Sequence, residues 1–470
     1  MNLMILDLVL LGLFFVFVVG FLYVKRKNLK KEGLLFLYKT KWGIKLINQI
    51  GKKYPKTLKV IGYISIITGY ILMVLMIYFF IQIVWIYLFN AEIVRAVKLP
   101  PVAPLIPYLP QIFKLDFLPP FYFIHWIVIL AIVAISHEFF HGIFAALYKI
   151  KIKRTGFGFF PFFLPVFLAA FVELDEKVMK KKSSFKQRVV LSAGTFANIL
   201  TAILGLILIF GFFSLSFSPS GVIFDDYAYS IVETSSITAL NGIALSNPTY
   251  EDISKLMNED GKNYFVVDNM TYVGLKGYNS DKTILALYYS SPAINSEMYG
   301  PILNVNGNSV NSLDSFKEEL SKYSIGEKIT IQTKVNDGIK NYEIVLEENP
   351  TESGKAWLGV SFSEASSRSV MQRFILFFSS YKQPHVYYEP DFEGATFIYD
   401  LLWWLILISF SVALVNMLPV GIFDGGRFFY LTVLSITKSA KIAKNSFKVL
   451  TYIFLVLLFV LMFMWAKSFF

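Results

Sequence analysis

The chain has 470 residues, 55% of them hydrophobic, with a mean hydropathy of +0.56. That is too apolar for a water-soluble enzyme and fits a chain that crosses a membrane several times. The net charge of +11 is not read as a nucleic-acid footprint, because its lysines cluster between apolar runs, where they fix membrane orientation. The absence of cysteine excludes disulfides, thiolate zinc sites and cysteine nucleophiles, so any metal must be held by His, Asp or Glu.

In chain order, apolar spans are predicted at roughly 3–24, 60–89, 122–148, 189–213, 397–418 and 447–466, each able to cross about 30 Å of hydrocarbon. The expected fold class is a polytopic α-helical membrane protein of about six transmembrane helices with an inserted, β-rich, extracytoplasmic PDZ-like region. The first span is followed by Lys25, Arg26 and Lys27 with no small-residue cleavage site before them, and reads as an anchor. The loop 25–59 carries twelve basic residues against Glu32 and is expected in the cytoplasm. Alternation then places 90–121 outside, 149–188 inside, 214–396 outside and 438–448 inside. The basic residues Lys149, Lys151, Lys153, Arg154, Lys180, Lys181 and Lys182 fall on the inner side, as do Lys438, Lys441, Lys444 and Lys448.

Segment 155–172 is apolar yet holds two Gly and two Pro in its first eleven residues, which resists a helix. Non-helical backbone at membrane depth needs protein or a water-filled cavity around it, so a re-entrant loop or hairpin is expected; a loop at the interface is the alternative. Segment 214–396 has the composition of a soluble β-rich domain. It contains a weak repeat, 237–245 against 302–310, each copy a strand, an Asn-Gly turn and a strand, followed by a short helix beginning near Tyr250 or Ser315. The second copy resembles a PDZ domain, on Ser291, Pro292 and Ala293, then 302–307, 315–320 and 326–330. Residues 363–396 read as a linker with a short amphipathic piece at 369–381. The expected division is an N-terminal membrane part with a basic loop (1–121), a first catalytic part (122–213), PDZ-like modules at 214–274 and 275–350, a linker (351–396) and a second catalytic part (397–470).

The chemistry centres on His137, Glu138 and His141, at the end of the apolar run Ile127–Ser136. Imidazoles at i and i+4 share one helix face and can grip one ion, and the Glu between them is placed to act as general base on a metal-activated water. Charged groups at membrane depth are costly and mark function by default. A third ligand must come from elsewhere. His125 lies three turns upstream, about 18 Å along the helix axis, and reads as a packed or interfacial histidine; His385 lies in the outer region. The best carboxylate is Asp424, which follows the apolar run Leu401–Val415 and a helix-breaking Pro419 and precedes Gly425 and Gly426, where another backbone can approach closely. Gly194 and Asn198 share one face of a small-residue stretch, a pattern that packs membrane helices and lets Asn bond across the interface.

Taken together, the His137–His141 motif, Gly194 with Asn198, and Asn416, Pro419, Asp424 and Gly425 resemble, in this order, the site-2 protease family of intramembrane zinc metalloproteases. So does the stretch 171–175. The resemblance covers roughly 122–466 and leaves 1–60 outside it. It implies one Zn2+ per chain held by His137, His141 and Asp424, Glu138 as catalytic base, and Asn198 and Asn416 as substrate-positioning or site-shaping residues. It also implies single-span membrane-protein substrates, of regulatory type, cleaved within their transmembrane segments, and a site toward the cytoplasmic half of the bilayer. The PDZ-like region would take peptide termini or extended segments, and nucleic acid is not an expected partner. Phe423, where Leu is usual, and an outer region larger than one PDZ domain depart from the pattern. The rival readings are a non-catalytic PDZ-bearing membrane scaffold, and a transporter using intramembrane charges; the second predicts span repeats, which are not visible.

Overall fold

The computed structural model describes all residues except 1–2, 33–34, 91, 93, 96–99, 103–104, 116, 160–167, 259–260, 275–282, 336–337, 364–379 and 469–470. The chain forms two units, Met1–Phe212 with Thr396–Phe470, and Phe213–Ala395. In the first unit α1 (Leu3–Val24) leads through a basic stretch to the amphipathic α2 (Ile44–Lys53), then α3 (Pro55–Phe89) and α4 (Phe123–Leu147). The short α5 (Glu176–Lys180) precedes α6 (Ser184–Ser216). The second unit holds α7 (Tyr250–Leu256) and α8 (Leu313–Leu320), after which come α9 (Ala395–Asn416), α10 (Asp424–Thr437) and α11 (Ala440–Lys467). Among the described residues, α1, α3, α4, α6, α9 and α11 are long and apolar enough to cross a membrane.

Several of these helices outrun the apolar stretches that flag them, because polar ends extend the hydrogen-bonded ladder. α3 begins with Pro55 in its first turn, and the Ser439 side chain accepts the Ile442 N–H to cap α11. The start of α4 is capped from another helix. Buried Asp7 of α1 accepts the N–H groups of Phe123 at 2.7 Å and Ile124 at 3.0 Å, and the Tyr108 hydroxyl. These are two of the donors a helix N-terminus leaves unpaired, so the carboxylate fixes α1 against the helix that carries the histidines.

The basic loop 25–59 contributes more than charge. Its strands β1 (Leu29–Glu32) and β2 (Leu35–Thr40) join β3 (Ile152–Phe159) and β4 (Leu168–Leu174) in an antiparallel sheet of order β1-β2-β3-β4. The predicted hairpin at 155–172 is therefore half of a four-stranded sheet; its tip, 160–167, lies outside the described residues. Lys39 of β2 meets Glu173 of β4 at 3.0 Å across β3. Beside the sheet, α2 lies on α4, with Ile47 against Gly142.

Among its described residues the second unit holds two large sheets, one nested inside the other, and two short two-stranded ladders. The strands that order the large sheets are β5 (Phe217–Val222), β6 (Tyr229–Glu233), β7 (Ile237–Leu240), β8 (Ile243–Ala244), β9 (Asn263–Val267), β10 (Met270–Gly274) and β11 (Ile284–Tyr289). They continue with β12 (Ile302–Val305), β13 (Lys328–Val335), β14 (Gly338–Val345) and β15 (Val386–Pro390). The inner sheet has order β6-β11-β10-β9-β7-β8 and the outer sheet β14-β13-β12-β5-β15. The Tyr289 N–H donates to the Ala228 carbonyl at 3.0 Å, so the chain enters and leaves the inner sheet at one point. Each sheet has its own core, Phe265, Leu240 and Ile253 in one, Phe316, Ile302 and Ile331 in the other.

The expected division at 274/275 therefore cuts the inner sheet, because β11 belongs to it, while β5, placed with the first module, pairs with β12 of the second at Val222↔Ile302. The predicted linker is also partly built structure, since β15 pairs along β5. The amphipathic piece at 369–381 lies almost wholly outside the described residues. The internal repeat has a physical counterpart. Asn241-Gly242 and Asn306-Gly307 both turn with positive φ, and each Asn Oδ1 accepts a strand N–H, from Tyr264 and from Thr330. Each copy then enters a helix capped by a hydroxyl, Thr249 for α7 and Ser312 for α8.

Candidate metal centre

His137 and His141 point from one face of α4 with their Nε2 atoms 3.0 Å apart. Asp424, the first residue of α10, brings Oδ2 to 3.1 Å from His141 Nε2 and 3.3 Å from His137 Nε2, although it stands 283 positions from His141 in the chain. Both imidazoles are buried. Glu138 lies beside them, and its carboxylate falls with the two imidazoles in a group whose ligand-capable atoms are all within 4.8 Å of one another.

The outer nitrogens bear on what the inner ones offer. His141 Nδ1 lies 2.6 Å from the Val190 carbonyl of α6, which can only accept, so Nδ1 carries a proton and the neutral ring presents its lone pair at Nε2. His137 Nδ1 lies 3.2 Å from the amide nitrogen of buried Asn198, while Asn198 Oδ1 has no hydrogen-bond partner. With that amide turned by half, Oδ1 would accept from His137 Nδ1–H, which would free the second Nε2. With both rings neutral in these tautomers, two lone pairs and a carboxylate oxygen converge, an arrangement that suits a cation. Ligand atoms bound to one tetrahedral ion at ~2.0–2.1 Å lie about 3.3 Å apart. Edges of 3.0, 3.1 and 3.3 Å fit three corners of that figure.

Gly194 of α6 backs the pair. A Cβ there would lie 2.5 Å from His137 Nε2 and closer still to His141 Nε2, so only a residue without a side chain fits. Gly425 and Gly426 serve the opposite wall. Cβ atoms on them would come within 2.6 Å of the Leu418 oxygen and 2.7 Å of the Val420 carbonyl carbon, so the first turn of α10 rests directly on the Met417–Val420 turn. Pro419 is buried in that turn. Asn416, the last residue of α9, lines an apolar cavity of about 480 Å³ with Leu105, Trp404, Ile408 and Val412. His125 is buried with Nε2 3.2 Å from the Phe397 carbonyl, and His385 lies in the second unit near Asp225.

Three contributors escaped sequence reasoning. The Val172 N–H of β4 donates to Glu138 Oε2 at 2.7 Å, Val190 supplies a carbonyl, and Arg427 donates to Glu176 and Gln187. Two of them act through backbone atoms, which no residue type announces; the third was visible as a cation three positions after Asp424 and was not used.

Fold and site together define a helical, multi-pass membrane protein with a buried cluster able to hold a metal ion. Residues 125–461 match the model of peptidase family M50, well over half of the chain. The chain belongs to that family of zinc metallopeptidases and is, by membership, a peptidase. No curated protein matches it.

Proposed function

We propose that this chain is a zinc-dependent intramembrane endopeptidase that cleaves within the transmembrane segments of single-span, membrane-anchored proteins of regulatory type. The observation that carries the reading is the triangle of His137, His141 and Asp424 with Glu138 beside it, on a helix apolar enough to cross a membrane. His137, His141 and Asp424 hold the ion, which when bound polarises the scissile carbonyl and acidifies a water. Glu138 takes the proton of that water and passes it to the leaving amine. The Val172 N–H fixes one oxygen of Glu138 and leaves the other for this transfer. Asn198 holds the ring of His137, and Asn416, with Pro419 and Gly425 behind it, shapes the substrate side of the site.

A helical substrate hides its peptide bonds and must unwind to be cut. β4 ends the four-stranded sheet, so its outer edge can receive the unwound strand by backbone pairing while its Val172 touches the base. The basic loops support an orientation with the site toward the cytoplasmic half of the bilayer and the second unit outside. There the PDZ-like region, inner and outer sheets together, would take peptide termini or extended segments and filter substrates.

The purified protein is expected to hold one zinc per chain by elemental analysis. Chelation should abolish cleavage of a membrane-embedded substrate, and added Zn2+ should restore it. His137→Ala should hold no stoichiometric zinc; full zinc in that variant would remove the site from this reading. Because the inner sheet begins and ends at one hydrogen bond, excising 229–288 should leave zinc and basal cleavage intact and broaden the range of substrates cut. An unchanged substrate profile would deny the inner sheet a filtering role.

A further inference from the structure

Arg427 joins two segments, each of which carries part of the site. Its Nη1 donates to both oxygens of Glu176 at 3.0 Å, and its Nη2 donates to Gln187 Oε1 at 3.2 Å. Gln187 is buried at the start of α6 and is itself held by the Lys182 carbonyl at 2.8 Å. Arg427 stands three residues after Asp424, and Glu176 four residues after Val172, whose N–H holds Glu138. The segment between Val172 and Glu176 is stiff: Lys39 pins Glu173, and Asp175 caps α5 through the N–H groups of Lys177 and Val178. The segment between Asp424 and Arg427 is a single helical turn pressed on the Met417–Val420 turn by Gly425 and Gly426. A force on the guanidinium therefore reaches the carboxylate of Asp424 on one side and the strand beside Glu138 on the other.

We infer that Arg427 and Glu176 form a latch that sets the separation between strand β4 and helix α10. The latch thereby sets the width of the gap in which a substrate backbone lies between the receiving edge and the histidine–aspartate cluster. The inference rests on the peptidase reading for its purpose but not for its geometry. Arg427 is a positioning residue. It touches no ligand-capable atom of the cluster and acts through Asp424 and β4. A guanidinium suits the task, because its planar, preorganised fork holds the carboxylate and the amide in one fixed geometry, which a lysine on its flexible stem does not. The pair is partly exposed, with Arg427 at 28% and Glu176 at 56%, so salt weakens it without unfolding the helices around it.

The chain has no native cysteine, so paired spin labels can be placed at Lys180→Cys and Thr437→Cys without background. Both positions are exposed and lie off the latch. The distance distribution between the labels should be narrow in the parent protein, broad in Arg427→Ala and narrow again in the exchanged pair Glu176→Arg/Arg427→Glu. In the unlabelled protein, Arg427→Ala should lower kcat/KM by about 10- to 100-fold, the effect of misplacing reacting groups by a fraction of an ångström to one ångström. Zinc content and thermal midpoint should stay near the parent's, and the exchanged pair should recover most of the loss. Parent activity should fall toward that of Arg427→Ala as ionic strength rises, and the variant should lack that dependence. An unchanged label distance in Arg427→Ala overturns the latch. So does loss of zinc and thermal stability that the exchanged pair fails to rescue, which marks Arg427 as ordinary structure. If the parent cleaves no membrane-embedded substrate, the peptidase reading fails, and the label distances still decide the latch.

Discussion

Glu138→Gln is expected to keep zinc and fold while cleavage falls by roughly 10²- to 10⁴-fold, the usual worth of a general base. The amide is the same size as the carboxylate and still offers an oxygen to the Val172 N–H, so β4 keeps its contact with α4. Glutamine cannot take a proton from water, and that step alone is lost. Elemental analysis should give parent zinc, and turnover of a membrane-embedded peptide should drop to near the limit of detection. Glu138→Ala also removes the acceptor of the Val172 N–H, so it should additionally loosen the strand, read as faster amide exchange over 168–174. Cleavage by Glu138→Gln at the parent rate would place the base elsewhere.

Much of this cluster could be read before any fold was known. His137 and His141 declare themselves by spacing on an apolar run. Asp424 declares itself only in company: alone it reads equally as a helix-end carboxylate at a membrane boundary, and His137 and His141 turn it into the third ligand candidate. Side-chain chemistry at fixed local offsets survives in one dimension. What did not survive is pairing between distant backbones. Residues 29–32 and 35–40 read in sequence only as part of the basic loop 25–59, on Lys30, Lys31 and Lys39, yet their backbones extend the sheet whose last strand holds Val172. The nesting of the two sheets was hidden for the same reason. β5 and β12 stand some eighty residues apart with a complete sheet between them, and neither strand is long enough to announce a missing partner. The Asn-Gly turns were readable because positive φ at two successive positions leaves few residue choices. α10 went unnoticed as a helix: it is only 14 residues long, and its first turn is Asp-Gly-Gly-Arg, poor in helix formers.

Gly194→Ala tests the packing of the centre against the ordinary benefit of removing a helical glycine. In an unobstructed helix interior the change stabilises by about 0.5–1 kcal/mol, because glycine loses more backbone freedom on folding than alanine. At position 194 the new methyl would lie 2.5 Å from His137 Nε2, about 1 Å inside normal contact, and closer still to His141 Nε2. Overpacking of this kind costs about 1–3 kcal/mol, which outweighs the helical gain and displaces the two atoms the ion needs. The variant should therefore lose stoichiometric zinc and all cleavage, and its thermal midpoint should fall even when compared with the metal-free parent. Gly211 supplies the control. It sits in the same helix with nothing within 4 Å of its would-be Cβ, so Gly211→Ala should keep zinc and melt at or slightly above the parent. Since Asn198 lies four residues on from Gly194 along α6, the glycine sets how near that helix comes and the asparagine uses the nearness to orient His137. Zinc retained at full stoichiometry in Gly194→Ala would mean that α6 can withdraw from the histidines without cost, and the role assigned to Asn198 would fall with it.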